Sequence, residues 1–295
     1  MKSLMWQRFT RRRSAVVGLV LFALLVAFAL FGGFLTRYSY TDTDFLAIGF
    51  PPSRGHWFGT NDAGNDLYAQ VVHGLQRSLI IALAVAAGTT LIAAVAGSLA
   101  AYFGGWVEKA TLGVVYLLMV VPSFLILALT ANASGGDWRW IIVALIVFGW
   151  MMLARVVHSM AVSLREREFV TAARYMGERP WRIVARHIIP NLSSLLVINF
   201  ALGVVGTVLT ETGLSFLGLG VKIPDVSLGS LLQSGVGTIV ASPWLFYFPA
   251  AVLTLLTVSM TLMADGLRDA LDPNAANPTV AEPVEAKPVE AGGVK

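Results

Sequence analysis

Glu211 is the only charged residue between Arg186 and Lys222, in a run of otherwise apolar and small side chains. An acid in such a setting can serve as a helix cap, an ion-pair partner inside a bundle, or a gate residue. Two other acids, Asp62 and Asp66, stand four residues apart in a polar stretch and carry carboxylates a cation could use. They lack the ligand series of a calcium loop and a third acid, so helix capping and turn formation suit them better. His56 and His73 are too widely spaced for a local metal motif, and no cysteine is present to supply a thiolate. None of the five lysines follows a glycine, so the chain has no phosphate-binding Gly-Lys-Ser/Thr loop. A GxSxG elbow and an HExxH pair are absent too, which leaves hydrolase chemistry without its groups. The remaining chemistry is cationic: Arg165, Arg167, Arg174, Arg179, Arg182 and Arg186 cluster in one short insert.

The elements that must carry these residues are membrane helices. Hydrophobic residues make up 56% of the chain and charged ones 13%, with mean hydropathy +0.73, whereas soluble chains carry about 25% charged residues. Six stretches approach or reach the ~20 residues a helix needs to cross a bilayer core: 15–35, 79–103, 110–131, 138–154, 192–210 and 244–264. The fourth is the shortest, with only 15 residues between Arg139 and Arg155, so both arginines must snorkel or the span sits inside the bundle. The first could pass for a signal peptide, but it lacks a small-residue cleavage pattern and reads as a retained span. Lysines and arginines concentrate in 1–14, 155–191 and beyond 264, which places both termini in the cytoplasm. The expected fold is therefore an all-α polytopic membrane protein with six transmembrane helices. A cytoplasmic segment, 1–14, precedes a transmembrane domain over 15–272. That domain has an external loop at 36–77, a cytoplasmic loop at 155–191 and an external amphipathic segment at 213–243. A Pro-, Ala- and Glu-rich tail, 273–295, reads as disordered. Small residues in the second span, and Met119, Met151, Met152 and Met160, read as packing. Pro122 predicts a kink in the third span. The ionisable residues that secondary carriers place at the midplane are almost wholly missing.

In the cationic insert, Phe169, Ala172, Ala173 and Met176 recur at i, i+3, i+4 and i+7, predicting one apolar helical face. Gly177 follows as a left-handed helix end. Pro180 opens a second helix whose Trp181, Val184, Ala185 and Ile188 repeat the spacing, and Pro190 closes it. By residue chemistry alone, the insert reads equally as a solvated basic loop fixing topology and as a surface on which a motor protein docks.

Its pattern resembles the loop of permease subunits from binding-protein-dependent ABC importers. The match runs through Ala172, Ala173, Gly177, Ile189 and Pro190, with Thr171 in place of the family's acid and His187 in place of an apolar residue. Three more segments resemble the dipeptide and oligopeptide branch: HWFGTNDAGNDLYAQVVHGLQRSL from His56, ETGLSFLGLG from Glu211 and LMADGLRDALDP from Leu262. The resemblance covers nearly the whole chain to Pro273. It implies a bundle like that of type I importers and a non-catalytic bacterial inner-membrane subunit that imports peptides. Nickel, glutathione or another small solute, or an ion-coupled carrier, is the alternative. The implied partners are a second, homologous permease in a heterodimer, two ATPase subunits and an external substrate-binding protein, with no nucleic acid. This chain would bind no cofactor or metal, and ATP with Mg would sit on the ATPases. ATPase coupling would fall to Phe169, Ala172, Ala173, Arg174, Met176, Gly177, Ile189 and Pro190, and a gate or outer-face contact to Glu211.

Overall fold

The computed structural model describes residues 2–271, with side chains from residue 6, so the tail expected at 273–295 lies outside the described residues. A short helix, α1 (Lys2–Arg11), leads through Arg12 into α2 (Arg13–Phe31). After a long loop come α3 (Leu67–Phe103), α4 (Gly105–Val120), α5 (Ser123–Ala133), α6 (Trp138–Gly149) and α7 (Met151–Arg165). Two short helices, α8 (Glu168–Tyr175) and α9 (Pro180–Ile183), precede α10 (Ser193–Phe216), α11 (Leu228–Gly237) and α12 (Trp244–Leu271). The described residues contain no strand, only the isolated bridges Thr43–Asn65 and Thr60–Asp66 in the long loop.

Five continuous helical stretches are long and apolar enough to cross a membrane, and α4 with α5 supplies a sixth that is bent by 76°. Pro122 sits in that break with Val121 extended beside it, because a proline cannot donate the amide that would carry the helix through. The spans are longer than the sequence suggests. α3 starts at Leu67 rather than residue 79, where Asp66 caps it by accepting from the Ala69 N–H at 2.9 Å. The external loop expected at 36–77 therefore includes the first turns of α3, over 67–77, where Gln70 is buried by protein. The fourth crossing runs from Trp138 to Arg165. Arg155 is therefore mid-element, its guanidinium over the Tyr116 ring at 5.5 Å, instead of ending a helix. The fifth runs from Pro180 to Phe216, so Pro190 does not stop it. A π-helical turn (Val184–Ile188) and a 3-10 turn (Ile189–Leu192) absorb the missing proline donor and carry the helix onward.

The helices seat on small residues. A Cβ at Gly97 of α3 would stand 2.6 Å from the Ala154 carbonyl, and one at Gly18 of α2 2.8 Å from that of Ser259. Ala82, Ala86, Ala93, Ala94 and Ala101 of α3 are buried, as the packing reading requires. Of Met119, Met151, Met152 and Met160, only Met151 is buried; the other three are exposed.

Contacts fix which loops share an end. Arg12 pairs with Asp269, and Gly266 packs on Ala15, so the start of α2 and the end of α12 lie together. Arg165 donates to the Ala101 carbonyl at 2.9 Å, bringing α8 and α9 to the same, terminal end. At the opposite, loop end, Trp244 donates to the Thr60 carbonyl at 3.3 Å and Tyr68 to that of Gly32 at 3.1 Å. α11 is wedged there, with Gly229 against α10 and Gly235 against the Leu245 carbonyl of α12.

Candidate functional site

At the terminal end, α8 ends where the sequence places its end. Gly177 has φ +75°, and the Glu178 and Gly177 amides donate back to the Ala173 and Arg174 carbonyls at 3.1 and 3.0 Å. This double turn-back is the glycine-terminated helix end that a β-carbon would strain. Glu178 then reaches across the turn, its Oε2 lying 2.9 Å from Nε2 of His187, so the residue that departs from the apolar pattern closes the loop on itself.

The expected apolar face divides in two. Val170 and Ala173 of α8 turn inward with Ile183, Val184 and Ile188, packing on Ala101 and Tyr102 of α3 and Val157 and Ala161 of α7. Phe169, Ala172 and Met176 face outward, Met176 being 79% exposed. Ala173, at 1% exposure, therefore does not share the outer face with its neighbour. Trp181 and Ala185 are likewise exposed, whereas Val184 and Ile188 are core, because the Gly177 turn redirects the second helix. The outward surface is a knob of Phe169, Tyr175, Met176 and Trp181, fringed by Arg174, Arg179, Arg182 and Arg186. These four arginines make no ion pair among the described residues. Arg174 lies over the Tyr102 ring at 5.3 Å, and Ile189 packs against the inner core while Pro190 is exposed. Its acid–imidazole pair, Glu178 with His187, closes the turn, and among the described residues no group of three metal-ligating side chains gathers here. The arrangement is a fixed, cationic, aromatic protrusion.

At the loop end, Glu211 is 1% exposed. It sits near the end of α10, as counting residues suggests, but it is enclosed and among the described residues pairs with no cation. Its Oε1 accepts from Ser215 and Ser227 hydroxyls, both at 2.7 Å, and its Oε2 has no partner. Ser227 caps α11, accepting from the Ser230 amide at 3.1 Å, and the Leu228 amide donates to Ser78 of α3 at 3.1 Å. Glu211 thus binds the cap of another helix and is not itself an ion pair. Nearby, Asp225 receives Arg77 Nε at 2.6 Å and lies 2.7 Å from His73 Nε2, while Tyr40 stacks on the His73 ring. His56 pairs with Asp66 at 3.1 Å, the same residue that caps α3. A cavity of about 730 Å³ opens between the long loop and the approach to α11, lined by Tyr40, Asn61, Asn65, Gln70, Asp225 and Gln233. The Asp225 network is invisible to sequence patterning because His73 and Asp225 are 152 positions apart. The cap at Ser227, a serine opening an amphipathic run, is the one part with a local signal.

Residues 91–277 match the family model for the binding-protein-dependent transport system inner membrane component. Residues 2–52 match that for the N-terminal TM domain of oligopeptide transport permease C. The chain is 46% identical over 274 residues to the oligopeptide transport system permease protein OppC of Mycobacterium tuberculosis (strain H37Rv), covering 92% of this chain and 94% of that protein. It is 34% identical to OppC of Bacillus subtilis (strain 168), over 90% of this chain and 87% of that one. A putative peptide permease protein of Brucella suis is 36% identical, over 91% and 89%.

Proposed function

The chain belongs to the family of binding-protein-dependent transport system inner membrane components, and on that premise we propose how it works in an ATP-driven peptide importer. It is a multi-pass inner-membrane permease subunit, and its curated relatives carry oligopeptide permease names. The terminal end is the cytoplasmic one, since the free arginines of the insert and Arg8, Arg11 and Arg13 of the N-terminal segment gather there. A second, homologous permease completes the membrane unit. Two ATPases bound below it hold the nucleotide and its Mg, and this chain supplies no catalytic group.

The observation that carries the reading is the protrusion built on Val170, Ala173, Ile183 and Ile188. Its exposed aromatic and thioether side chains suit an apolar groove, and its four unpaired arginines suit an acidic rim. Because its inner face is continuous with α3 and α7, movement of an ATPase that grips Phe169, Ala172 and Met176 would pass to the spans rather than bend a loop. On the outer side, the long loop and α11 form the surface on which a loaded binding protein would release its peptide.

Purification from the native membrane tests this. Walker-motif ATPases and a second permease should accompany the chain, with ATP hydrolysis rising when binding protein and peptide are added. Isolation of the chain alone, under conditions that keep a known importer intact, would count against the scheme.

A further inference from the structure

Of the candidate membrane spans, the bent pair α4 and α5 has the fewest buried residues for its length. Val115 is the only buried residue of α4, and Leu127 and Ala131 the only ones of α5. Around the break, Val120 is 82% exposed, Leu125 57% and Phe124 48%, and Pro122 and Ser123 are also exposed.

The break lies at membrane depth. α4 leaves the end of α3 at Gly104 on the terminal side, and its 16 residues rise about 24 Å, short of the ~30 Å core. From the other side, Leu127 shares a buried cluster with Ile81, Val85, Ile141 and Leu145, about half a turn to two turns inward from Arg77 and Arg139.

A helix break there has a chemical consequence. Val121 and Pro122 are both extended; the Leu125 amide turns back to the Pro122 carbonyl at 2.9 Å, which leaves the last carbonyls of α4 and the Ser123 and Phe124 amides without an intrahelical partner. Hydrocarbon cannot satisfy such groups. Irregular backbone at that depth persists only where protein buries it or water reaches it. Among the described residues no element covers it, and Ser123 is itself exposed.

We propose that the α4–α5 elbow, Val120 to Phe124, lines a water-filled passage closed on its far side by the second permease subunit, and that it is a wall of the peptide route. This rests on the importer reading above. The free backbone groups are solvated when the passage is empty, and the exposed apolar side chains next to them face the travelling peptide instead of lipid.

The chain has no cysteine, so single cysteines report without background. In the assembled complex in membrane vesicles, Val120→Cys and Phe124→Cys would be treated with a small membrane-impermeant thiosulfonate, beside Val17→Cys and Leu24→Cys on the unbroken α2. A thiolate forms only where water reaches, so the elbow positions should react at least about tenfold faster than those on α2. The polar adduct at position 124 should then stop peptide uptake. Equal rates at the elbow and α2, no reaction at the elbow, or full uptake after modification would each overturn the proposal. Failure of the importer reading looks different: unmodified complex would carry no ATPases and import no peptide.

Discussion

The hydroxyl of Ser227 donates to Oε1 of Glu211 at 2.7 Å while accepting the amide of Ser230, so one serine joins the acid of α10 to the first turn of α11. The cap of a surface helix is thereby anchored to a buried carboxylate.

Glu211→Ala removes an acceptor shared by two buried hydroxyls, and unsatisfied groups of this kind cost about 1–3 kcal/mol each. The variant should melt at a lower temperature than wild type in detergent. Glu211→Gln keeps an oxygen at the same place and should recover most of the loss. Equal melting of all three proteins would show that the link contributes nothing.

Ala172 and Ala173 are neighbours in sequence with opposite surroundings. Ala173→Leu pushes extra volume into the core beside Tyr102 and Val157, where overpacking costs about 1–3 kcal/mol, and should lower yield and melting temperature. Ala172→Leu should fold normally but reduce the ATPase recovered with the complex. Identical behaviour of the two variants would contradict the split face.

Gly177 occupies a left-handed conformation that costs a β-carbon residue about 1–2 kcal/mol. Gly177→Val should insert into the membrane at wild-type levels yet fail to link ATP hydrolysis to uptake. Normal peptide accumulation by this variant would remove the turn from the coupling scheme.

Asp225 is held by Arg77 and His73 of α3. Asp225→Asn and Arg77→Gln should each destabilise the loop end, and the double variant should be less damaged than the sum, with a coupling of about 0.5–3 kcal/mol in a thermal-unfolding cycle. Strict additivity would mean the pair is only a neighbourhood.

Sequence made the helical class, the break at Pro122 and the turn at Gly177 legible, because each rests on a local rule: apolar length, a missing donor, a backbone that only glycine adopts freely. It misjudged where α3 begins, since apolar length measures the bilayer and the helix continues past it under protein cover from Leu67. It assigned Ala173 to the outer face because periodicity identifies an apolar stripe without saying which edge meets its own bundle and which meets a partner. Of the two partners of Glu211, Ser215 lies one turn along the same helix, but Ser227 arrives from the segment beyond it and was out of reach. Pro190 misled in the other direction: read as a stop, it is passed by a widened turn, so the second helix of the insert is the beginning of the fifth span.

α3 spans 37 residues without interruption, from the Asp66 cap to Phe103, so it is about 55 Å long. One end, at Ala101 and Tyr102, is packed under the cationic protrusion, and the other, at His73 and Arg77, grips Asp225. A stiff rod held at both extremities converts angle into distance: tilting it by about 5° around its lower end sweeps the upper end through roughly 5 Å, the rise of nearly one helical turn. A small rotation below is thus enough to shift the rim of the outer cavity by the width of a side chain, with no unfolding anywhere along its length.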